Sequence, residues 1–504
     1  MFLPSSLGFT SSQILSQLSD YYSLSFDGTN DYINIPDHPN LSFGDGSTDS
    51  AFSVAAWVKM NDATLFRIVS KFKTSYEWLF TVTWQDTISL LLYDNSDSHR
   101  RGLVSTAAVT SYEGSWVHFM GTYDGRGGDN AQDGITLYIN GVSVATSSIP
   151  IGSYTAMHNT ASVVEIGSIA DFSTYANGKI AQVGIWNEAL TGSEVLELYN
   201  DGGLMDWTIN EGNYNSSSNL VGYWPLTAGS GTTAADHSTN GNDGTLTNGP
   251  SWSYALPSSA ISEPNYSVSF DGANDYIEIS DSDNFSFGDG STDSAFSVSA
   301  WIYMDDATKF RIIAKTTKTG TSGMEWAISI DGLDRLSFNL YDGLVFSVRI
   351  GVATSAITAK EGTWTHILAT YDGSSTSNGM SLYLDGVLQS VSANNQGVYT
   401  AMHNYPIDVT VGADFQGAAP SYANGKIAQV GIWDVELTSD EIASMYSDGE
   451  IIDLTQDYGY YQSKANLVAY WPLDEGSGTT ATDNSGNGHN GTLTNGPIYS
   501  TDVP

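Results

Sequence analysis

Short runs in which hydrophobic and polar residues alternate dominate the chain. Gly, Asp and Asn residues separate these runs, and examples are YSLSF (22–26), YINI (32–35), FSVAAWV (52–58) and ITLYI (135–139). A period of two places successive side chains on opposite faces of a strand, and the intervening Asp-Gly and Asn-Gly dipeptides are hairpin signals. The pattern predicts about a dozen short strands in each half of the chain, which is typical of a two-sheet sandwich.

Two segments have a different pattern, LTGSEVLELYNDG (190–202) and LTSDEIASMYSDG (437–449). Each has a Thr or Ser before an acidic first turn and a Gly at its end, as helix caps require. We therefore expect one short helix in each half of an otherwise all-β chain.

The two halves of the chain are copies of each other. Residues 22–35 return at 266–279, and residues 175–186 recur letter for letter at 422–433. A period of this length suits a whole domain rather than a solenoid repeat. We predict two tandem antiparallel β-sandwich domains, 21–255 and 264–504, joined by a segment rich in Ser and Pro.

Residues 1–20 lie outside the repeat and form a predicted N-terminal arm. They carry one acidic residue and several apolar ones, including Phe2, Phe9 and Leu15. A stretch this short is marginal as a helix alone, so we expect it to order against a neighbouring subunit and to anchor an assembly. It has no basic residue and no long apolar run, so no signal peptide is predicted.

Charge narrows the range of partners. With 17 basic against 56 acidic residues, the formal net charge is −39, which argues against binding to nucleic acid or to anionic membranes. The acidity suits either a solvated face in salty water or a supply of carboxylates for divalent cations. The absence of Cys excludes disulfides and thiol chemistry, and no apolar stretch reaches the ~18 residues of a membrane span.

Several motifs resemble those of the laminin-G-like and pentraxin-like branch of concanavalin A-like jelly rolls. They are FDGxxDYI, FSVxAW, WxHxxxTYDG and NGKIxxVGIW, each present twice, and the helix pattern LTxxEIxxLYxxG, which each copy matches with one substitution, Val195 in the first and Met445 in the second. The resemblance implies the jelly-roll fold but not the function, because this fold hosts lectins, enzymes and virion proteins. The segments 223–250 and 470–497 resemble the part that usually opens such a domain. Here each follows a repeat, so it could pair with its own repeat or with another.

The carboxylates that glycan cleavage would need are not evident. Glycanases of this fold resemble one another in a strand with Glu-x-Asp-x-(x)-Glu, whose carboxylates act as nucleophile and general acid. No such run occurs here. We predict that the chain is not an enzyme, with an unrecognised glycan-active enzyme as the remote alternative.

Calcium is the one cofactor considered. The loop GDGSTDS (44–50 and 288–294) offers carboxylates beside backbone carbonyls, as calcium prefers, although an Asp/Ser turn that satisfies its own backbone is equally consistent. Its candidate ligands are Asp45, Asp49, Asp289 and Asp293. The resemblance to pentraxins implies a second set, Glu77 with Asp171 and Glu325 with Asp414.

Aromatic residues that occur in only one copy are the candidates for sugar or partner contacts. The shared core cannot require them, so we expect Trp84, Trp207 and Trp252 to be exposed, with a plain surface or interface role as the alternative. The binding set is completed by Tyr93 and Tyr341. The repeated histidines, His118 with His366 and His158 with His403, are assigned to packing or to a backbone hydrogen bond.

These observations favour a non-catalytic structural or binding protein on a virion or extracellular surface. It would be a fibre or decoration component whose partners are other subunits of a particle or filament, and it could also bind cell-surface glycans. The alternative is a secreted, calcium-dependent, lectin-like protein that binds polysaccharide.

Overall fold

The computed structural model describes residues 22–73, 75–96, 98–169, 173–258, 264–317, 323–343, 348–415 and 420–504. The chain divides between residues 259 and 260 into two compact units. Both units are antiparallel β-sandwiches, which confirms the predicted fold class. Within the described residues, no helix is long and apolar enough to cross a membrane.

The first domain contains nineteen strands among its described residues. In chain order they are β1 (Ser23–Asp27), β2 (Tyr32–Ile35), β3 (Phe52–Met60), β4 (Arg67–Lys71), β5 (Trp78–Val82), β6 (Ile88–Tyr93), β7 (Arg100–Ser105), β8 (Trp116–Tyr123), β9 (Ile135–Ile139), β10 (Val142–Ser143), β11 (Thr146–Ser148), β12 (Val164–Ile166), β13 (Ser168–Ile169), β14 (Thr174–Tyr175), β15 (Asn177–Trp186), β16 (Leu220–Trp224), β17 (Thr233–Ala234), β18 (Gly244–Thr247) and β19 (Ser251–Ser253).

The second domain repeats this set. Its strands are β20 (Ser267–Asp271), β21 (Tyr276–Ile279), β22 (Phe296–Met304), β23 (Arg311–Thr316), β24 (Met324–Ile330), β25 (Arg335–Tyr341), β26 (Arg349–Ala356), β27 (Trp364–Tyr371), β28 (Met380–Leu384), β29 (Val387–Leu388), β30 (Ser392–Ala393), β31 (Val409–Val411), β32 (Ala413–Asp414), β33 (Ser421–Tyr422), β34 (Asn424–Trp433), β35 (Leu467–Trp471), β36 (Thr480–Ala481), β37 (Gly491–Thr494) and β38 (Ile498–Ser500).

Two large sheets form each sandwich. In the first domain, sheet I has the order β10-β9-β8-β3-β15-β1-β19, with β16 paired to β15, and sheet II has the order β11-β7-β6-β5-β4-β12-β2-β18-β17. The hairpin β13–β14 forms a small separate sheet. The second domain has the same arrangement in β20–β38, so the duplication of sequence is a duplication of fold.

The main core lies between the two sheets and follows the predicted alternation. In the first domain Val54, Phe80 and Leu90 face it, together with Trp78. Sheet I is also covered on its other face, where Trp57 of β3 packs in a second buried cluster. Burial on both faces explains why FSVAAWV is almost continuously apolar.

The predicted helices are present as α1 (Gly192–Tyr199) and α2 (Ser439–Tyr446). Both begin with a complete capping box, in which Thr191 is paired with Glu194 and Thr438 with Glu441. The apolar face of α1 covers sheet I through Val195 and Leu198.

Each closing segment pairs within its own repeat. In the first domain β16 pairs with β15, β18 with β2 and β19 with β1. The second domain has the equivalent pairs, β35 with β34, β37 with β21 and β38 with β20. The alternative in which one repeat supplies a strand to the other is therefore wrong for these segments.

Candidate functional site

Several loops of each domain meet at one end of the sandwich, which we call the loop edge. In the first domain it is formed by residues 36–51, 94–96, 98–99 and 149–163. Backbone contacts tie these loops together, including the Gly46 amide that donates to the Met157 carbonyl at 2.7 Å. The second domain has the same contact between Gly290 and Met402, at 2.6 Å.

Asp49 holds the loop edge together from inside. One of its carboxylate oxygens, Oδ2, accepts hydrogen bonds from the hydroxyls of Tyr123 and Tyr154 at 2.7 and 2.8 Å, and Oδ1 accepts the Met157 amide at 2.7 Å. Burial raises the pKa of Asp49 above its usual range, although these donors oppose the shift. A carboxylate that already serves three donors has a structural role.

The second copy of this arrangement is almost identical. Asp293 accepts hydrogen bonds from the Tyr371 and Tyr399 hydroxyls at 2.7 and 2.8 Å, and from the Met402 amide at 2.8 Å. Since donors surround both Asp49 and Asp293, neither carboxylate is arranged to coordinate a cation.

Asp45 and Asp289 form turns rather than metal ligands. Oδ1 of Asp45 accepts the amides of Ser47 and Thr48, both at 2.8 Å. These amides hold the pKa of Asp45 below its usual value, and the same turn occurs at Asp289. The geometry is that of a turn that satisfies its own backbone, so these loops do not fit calcium.

The second predicted calcium set contains buried ion pairs. Glu77 lies 3.1 Å from the Lys71 ammonium, and Glu325 lies 2.7 Å from Lys315. In both glutamates Oε2 is buried without a hydrogen-bond partner. A lysine therefore supplies the positive charge that a calcium ion would supply, so these carboxylates do not fit the ion well.

The remaining members of that set do not change this result. Asp414 accepts the Thr316 hydroxyl at 2.9 Å, and Asp171 lies outside the described residues. The part of the chain that the structure describes contains no group of three or more His, Cys, Asp or Glu side chains suited to a metal ion. Calcium binding stays a prediction.

A partly exposed His–Asp pair lies at the loop edge of each domain. His158 Nε2 is 2.9 Å from Asp94 Oδ1, and His403 Nε2 is 3.2 Å from Asp342 Oδ1. Each histidine side chain is 39% exposed. The same aspartates also accept a backbone amide, that of Thr155 at 3.3 Å and that of Thr400 at 2.7 Å.

A glycine makes room for each imidazole. Gly46 has a φ of +84°, and a Cβ added there would lie 2.8 Å from the ring of His158. Gly290 has a φ of +83° and would place a Cβ 2.7 Å from His403. These positions need glycine both for the left-handed backbone and for the close approach.

Sequence reasoning missed the His–Asp pairs. It assigned His158 and His403 to packing or to a backbone hydrogen bond, because Asp94 and Asp342 precede them by about sixty residues and belong to a different hairpin. The usable signal was the Tyr-Asp dipeptide at the end of β6 and β25, which both copies retain. His118 and His366, by contrast, are buried, and burial lowers the pKa of His118 to about 3 and that of His366 to about 4.

The predicted aromatic binding residues separate into exposed and buried ones. Trp84 is 70% exposed at the β5–β6 turn, as expected. Trp252 is half-buried, and its indole N–H donates to the Gly231 carbonyl at 3.2 Å. Tyr93 and Tyr341 are each only 2% exposed, so their prediction as surface contacts was wrong.

The exposure predicted for Trp207 was also wrong. This side chain is fully buried in the cluster between sheet I and α1, with its ring centroid 5.4 Å from that of Trp186. Leu454 takes the equivalent place, because Gly184 faces Trp207 and the corresponding Gly431 faces Leu454. A residue present in one copy can therefore belong to the core when a different apolar residue replaces it in the other.

Acidic residues are scarce where a glycanase would need them. Strands β4–β7 and β23–β26 of sheet II contain a single carboxylate, Glu325, and Lys315 already pairs with it. The pair of carboxylates that hydrolysis requires is not present on these described strands.

Solved structures similar to this chain include laminin domains, a putative carbohydrate binding protein and a pentraxin. The mouse laminin α1 chain, domains LG4-5, is 8% identical with a TM-score of 0.27, over 85% of this chain and 90% of that one. A putative carbohydrate binding protein from Bacteroides ovatus is 16% identical with a TM-score of 0.35, over 71% and 78%. A heptameric SAP-like pentraxin from Limulus polyphemus is 16% identical with a TM-score of 0.29, over 48% and 97%.

A search of curated proteins found no match. One family model, described as the Concanavalin A-like lectin/glucanases superfamily, matches residues 27–196 and 271–443. These two regions lie in the two repeats and together make up more than half of the chain. The chain therefore belongs to the concanavalin A-like lectin/glucanases superfamily, with one domain of the family in each repeat.

Proposed function

We propose that this chain is a non-catalytic glycan-binding protein, and that each domain holds a sugar at its loop edge through the His–Asp pair. The observation that carries the proposal is the duplication of a partly exposed pair, Asp94 with His158 and Asp342 with His403, in matching surroundings. The buried contacts of Asp49 and Asp293 hold the supporting loops, so the pair is set on a rigid base.

The chemistry of the pair suits sugar hydroxyl groups. A carboxylate oxygen accepts hydrogen bonds, and the imidazole can donate or accept according to its tautomer. Adjacent hydroxyls of a sugar ring need such a combination at a fixed spacing. Two copies of the site on one chain would raise the avidity for a polymer even where each contact is weak.

The strands of sheet II support the non-catalytic part of the proposal. Hydrolysis needs two carboxylates placed on either side of the scissile bond. Strands β4–β7 hold none, and the only one on β23–β26 is buried against a lysine. Binding without cleavage is the function that these residues favour.

We further propose that the protein works on a virion or another extracellular assembly, as a fibre or decoration component. A tandem of binding domains suits the coverage of a repeating surface, and the acidity limits unspecific self-association. The arm residues Phe2, Phe9 and Leu15, proposed as the anchor, lie outside the described residues. Detection of the protein in purified particles rather than free in culture supernatant would support this role over that of a secreted lectin.

Binding of the full chain to a broad panel of immobilised glycans tests the glycan-binding proposal. Variants Asp94→Asn with His158→Ala, and Asp342→Asn with His403→Ala, should each weaken binding to the selected glycan at least tenfold at one domain. The matched control is Asp86→Asn with Asp334→Asn, at the opposite end of the sandwich, where these aspartates accept hydroxyls of Thr64 and Thr308. Equal loss in the control, or no glycan bound at all, would contradict the proposal.

A further inference from the structure

An arginine occupies the same position on sheet II of each domain. Arg67 begins β4 and Arg311 begins β23, on the face turned away from the main core. The chain has 56 acidic and only 17 basic residues. An arginine in such a chain would be expected to have a carboxylate partner, but among the residues that the structure describes Arg67 bonds to two hydroxyl groups instead.

Arg67 is nearly buried, and its hydrogen-bond partners among the described residues are neutral. The side chain is 8% exposed, and burial lowers its pKa to about 10. Its guanidinium donates from Nε to the Thr174 hydroxyl and from Nη1 to the Thr81 hydroxyl, both at 2.9 Å. Across the described ranges no carboxylate forms an ion pair with this guanidinium; Asp171, in the segment between β13 and β14, lies outside those ranges.

Burial of an unpaired charge costs free energy. A buried guanidinium without an internal counter-charge is therefore suited to bind an external anion. The two threonine hydroxyls fix one edge of the planar guanidinium. Its remaining N–H donors form the fork that binds a carboxylate or a sulfate in a bidentate manner. A buried cluster of Leu79 and Leu91, with Phe72 and Tyr93, lies on the same face of sheet II.

The second domain has a carboxylate, Asp414, at a strand position where the first domain has Ile169. Asp414 is the strand partner of Ser421, and Ile169 is the partner of Thr174, so Ile169 and Asp414 occupy the same register position. Asp414 Oδ2 lies 3.9 Å from Arg311 Nη1. A second position also differs between the domains. The second domain has Thr316, whose hydroxyl donates to Asp414, where the first domain has Phe72.

We propose that Arg67 is an anion subsite of the first domain, which binds the carboxylate or sulfate group of an acidic polysaccharide. In the second domain Asp414 partly neutralises Arg311, so this domain binds the anion weakly or not at all. The polymeric ligand rests on the proposed glycan-binding function. The anion subsite does not, because it lies on sheet II and can be tested with a monosaccharide.

The test titrates the full chain with galacturonate, with a short polygalacturonate, with dextran sulfate and with neutral dextran of matched length. We expect one site per chain that prefers an anionic probe to dextran at least tenfold. Preference for polygalacturonate assigns a carboxylate, and preference for dextran sulfate assigns a sulfate. Arg67→Gln should reduce binding of the preferred probe at least tenfold, and Arg67→Lys, which keeps the charge but loses the fork, several-fold.

Substitutions that copy a residue of one domain into the other test the proposal most directly. Ile169→Asp should abolish anion binding by supplying an internal partner for Arg67. Asp414→Ile should raise the stoichiometry from one site to two. Arg126→Gln, which removes an exposed arginine paired with Asp124, is the control and should change nothing. Should Ile169→Asp fail to fold, Asp414→Asn provides the same test in the other domain.

The salt dependence of binding distinguishes this site from unspecific electrostatic attraction. The net charge of −39 repels a polyanion at a distance, and salt screens that repulsion more than it screens a nearly buried contact. Binding of polygalacturonate should therefore not weaken between low and physiological salt. The proposal is overturned if no anionic probe binds, if Arg67→Gln leaves binding unchanged, or if Asp414→Ile and Asp414→Asn both leave one site.

Substitution of Asp94 at the loop edge distinguishes the glycan-binding proposal from the anion-subsite proposal. Asp94→Asn should reduce binding of the glycan selected on the panel while galacturonate still binds to the Arg67 subsite. If galacturonate binds but no glycan of the panel does, the proposed function fails and the anion subsite stands.

Discussion

The ammonium group of Lys315 lies 2.7 Å from the carboxylate of Glu325, and both side chains are fully buried. Burial is the largest influence on this carboxyl and raises the pKa of Glu325 to about 7, although Lys315 opposes the shift. Lys71 and Glu77 form the same pair in the first domain, where burial again raises the pKa of the glutamate. The carboxyl of Glu325 therefore changes its charge near neutral pH.

The pH dependence of stability follows from this shift. A folded-state pKa above the unfolded value makes the ionised glutamate unfavourable in the fold, so the stability that Glu325 contributes falls as pH rises from about 4.5 to about 7. Glu325→Gln lacks this titration. We expect its free energy of unfolding, relative to the parent, to rise across that window by up to about 3 kcal/mol.

Urea unfolding of the full chain at several pH values measures this difference. The control is Asp289→Asn, because the pKa of Asp289 is lowered and its titration lies below the window. A relative stability of Glu325→Gln that stays flat between about pH 4.5 and 7 would show that the carboxyl is ionised throughout.

Removal of Asp49 should destabilise the first domain. Asp49→Ala leaves the hydroxyls of Tyr123 and Tyr154 and the Met157 amide without their acceptor. Each unsatisfied buried group costs about 1–3 kcal/mol, so we expect a loss of about 3 kcal/mol or more. Asp45→Ala, on the exposed turn of the same loop, should shift the unfolding midpoint little. Similar effects of the two variants in urea unfolding would contradict the structural role of Asp49.

The architecture was predictable because two independent signals in the sequence agree. Alternation with a period of two determines strand faces locally, and the repeat shows where one sandwich ends and the next begins. The helices were equally clear, since Thr191 and Glu194 make the contacts that their spacing predicts. The pairing of the closing segments was left open, because it depends on contacts between residues about two hundred positions apart, such as Leu24 with Trp252.

The candidate site was harder to predict, for physical reasons. Asp94 and His158 come from different hairpins, and no local pattern brings them together. The GDGSTDS loop has the composition of a calcium loop, but its aspartates are occupied by donors such as Tyr154 that lie far away in sequence. Trp207 was misplaced because sheet I is buried on both faces, which the continuous apolar run in β3 could have indicated.

The calcium prediction is tested by melting the full chain in calcium and in EDTA. Bound calcium at a hundredfold excess over its Kd would add about 2.7 kcal/mol of stability. Because donors surround Asp49 and a lysine pairs with Glu325, we expect the two melting temperatures to agree. A higher melting temperature in calcium that Asp171→Asn abolishes would instead place an ion at a residue outside the described ranges.

Deletion of residues 2–19 tests the proposed arm. Every strand pairing described for the two domains lies after residue 22, so both sandwiches should fold and melt as in the full chain. If Phe2, Phe9 and Leu15 are covered by a neighbouring subunit, each contributes about 1.5–3 kcal/mol to the anchor. The truncated protein should then remain soluble but be absent from particles in a sedimentation assay. Equal incorporation of the truncated and full chains would assign the anchor to the sandwich surfaces.

The core position shared by Trp207 and Leu454 gives a last prediction. Trp207 packs between Gly184 and α1, with Tyr223 5.4 Å away between ring centroids. Trp207→Ala should cost about 3–5 kcal/mol through lost burial and the cavity left behind. Trp207→Leu, which copies the second domain, should cost less, because part of the volume is retained.

Trp84→Ala is the matched control, since it removes the same side chain from an exposed turn. It should leave the free energy of unfolding unchanged, and a role of Trp84 in sugar stacking would appear only as weaker binding on the glycan panel. Thermal and urea unfolding of the three variants rank them directly. If Trp207→Ala lowered the free energy of unfolding as little as Trp84→Ala, the cluster beneath α1 would contribute little to stability. Packing would then not explain why the first domain has Trp where the second has Leu.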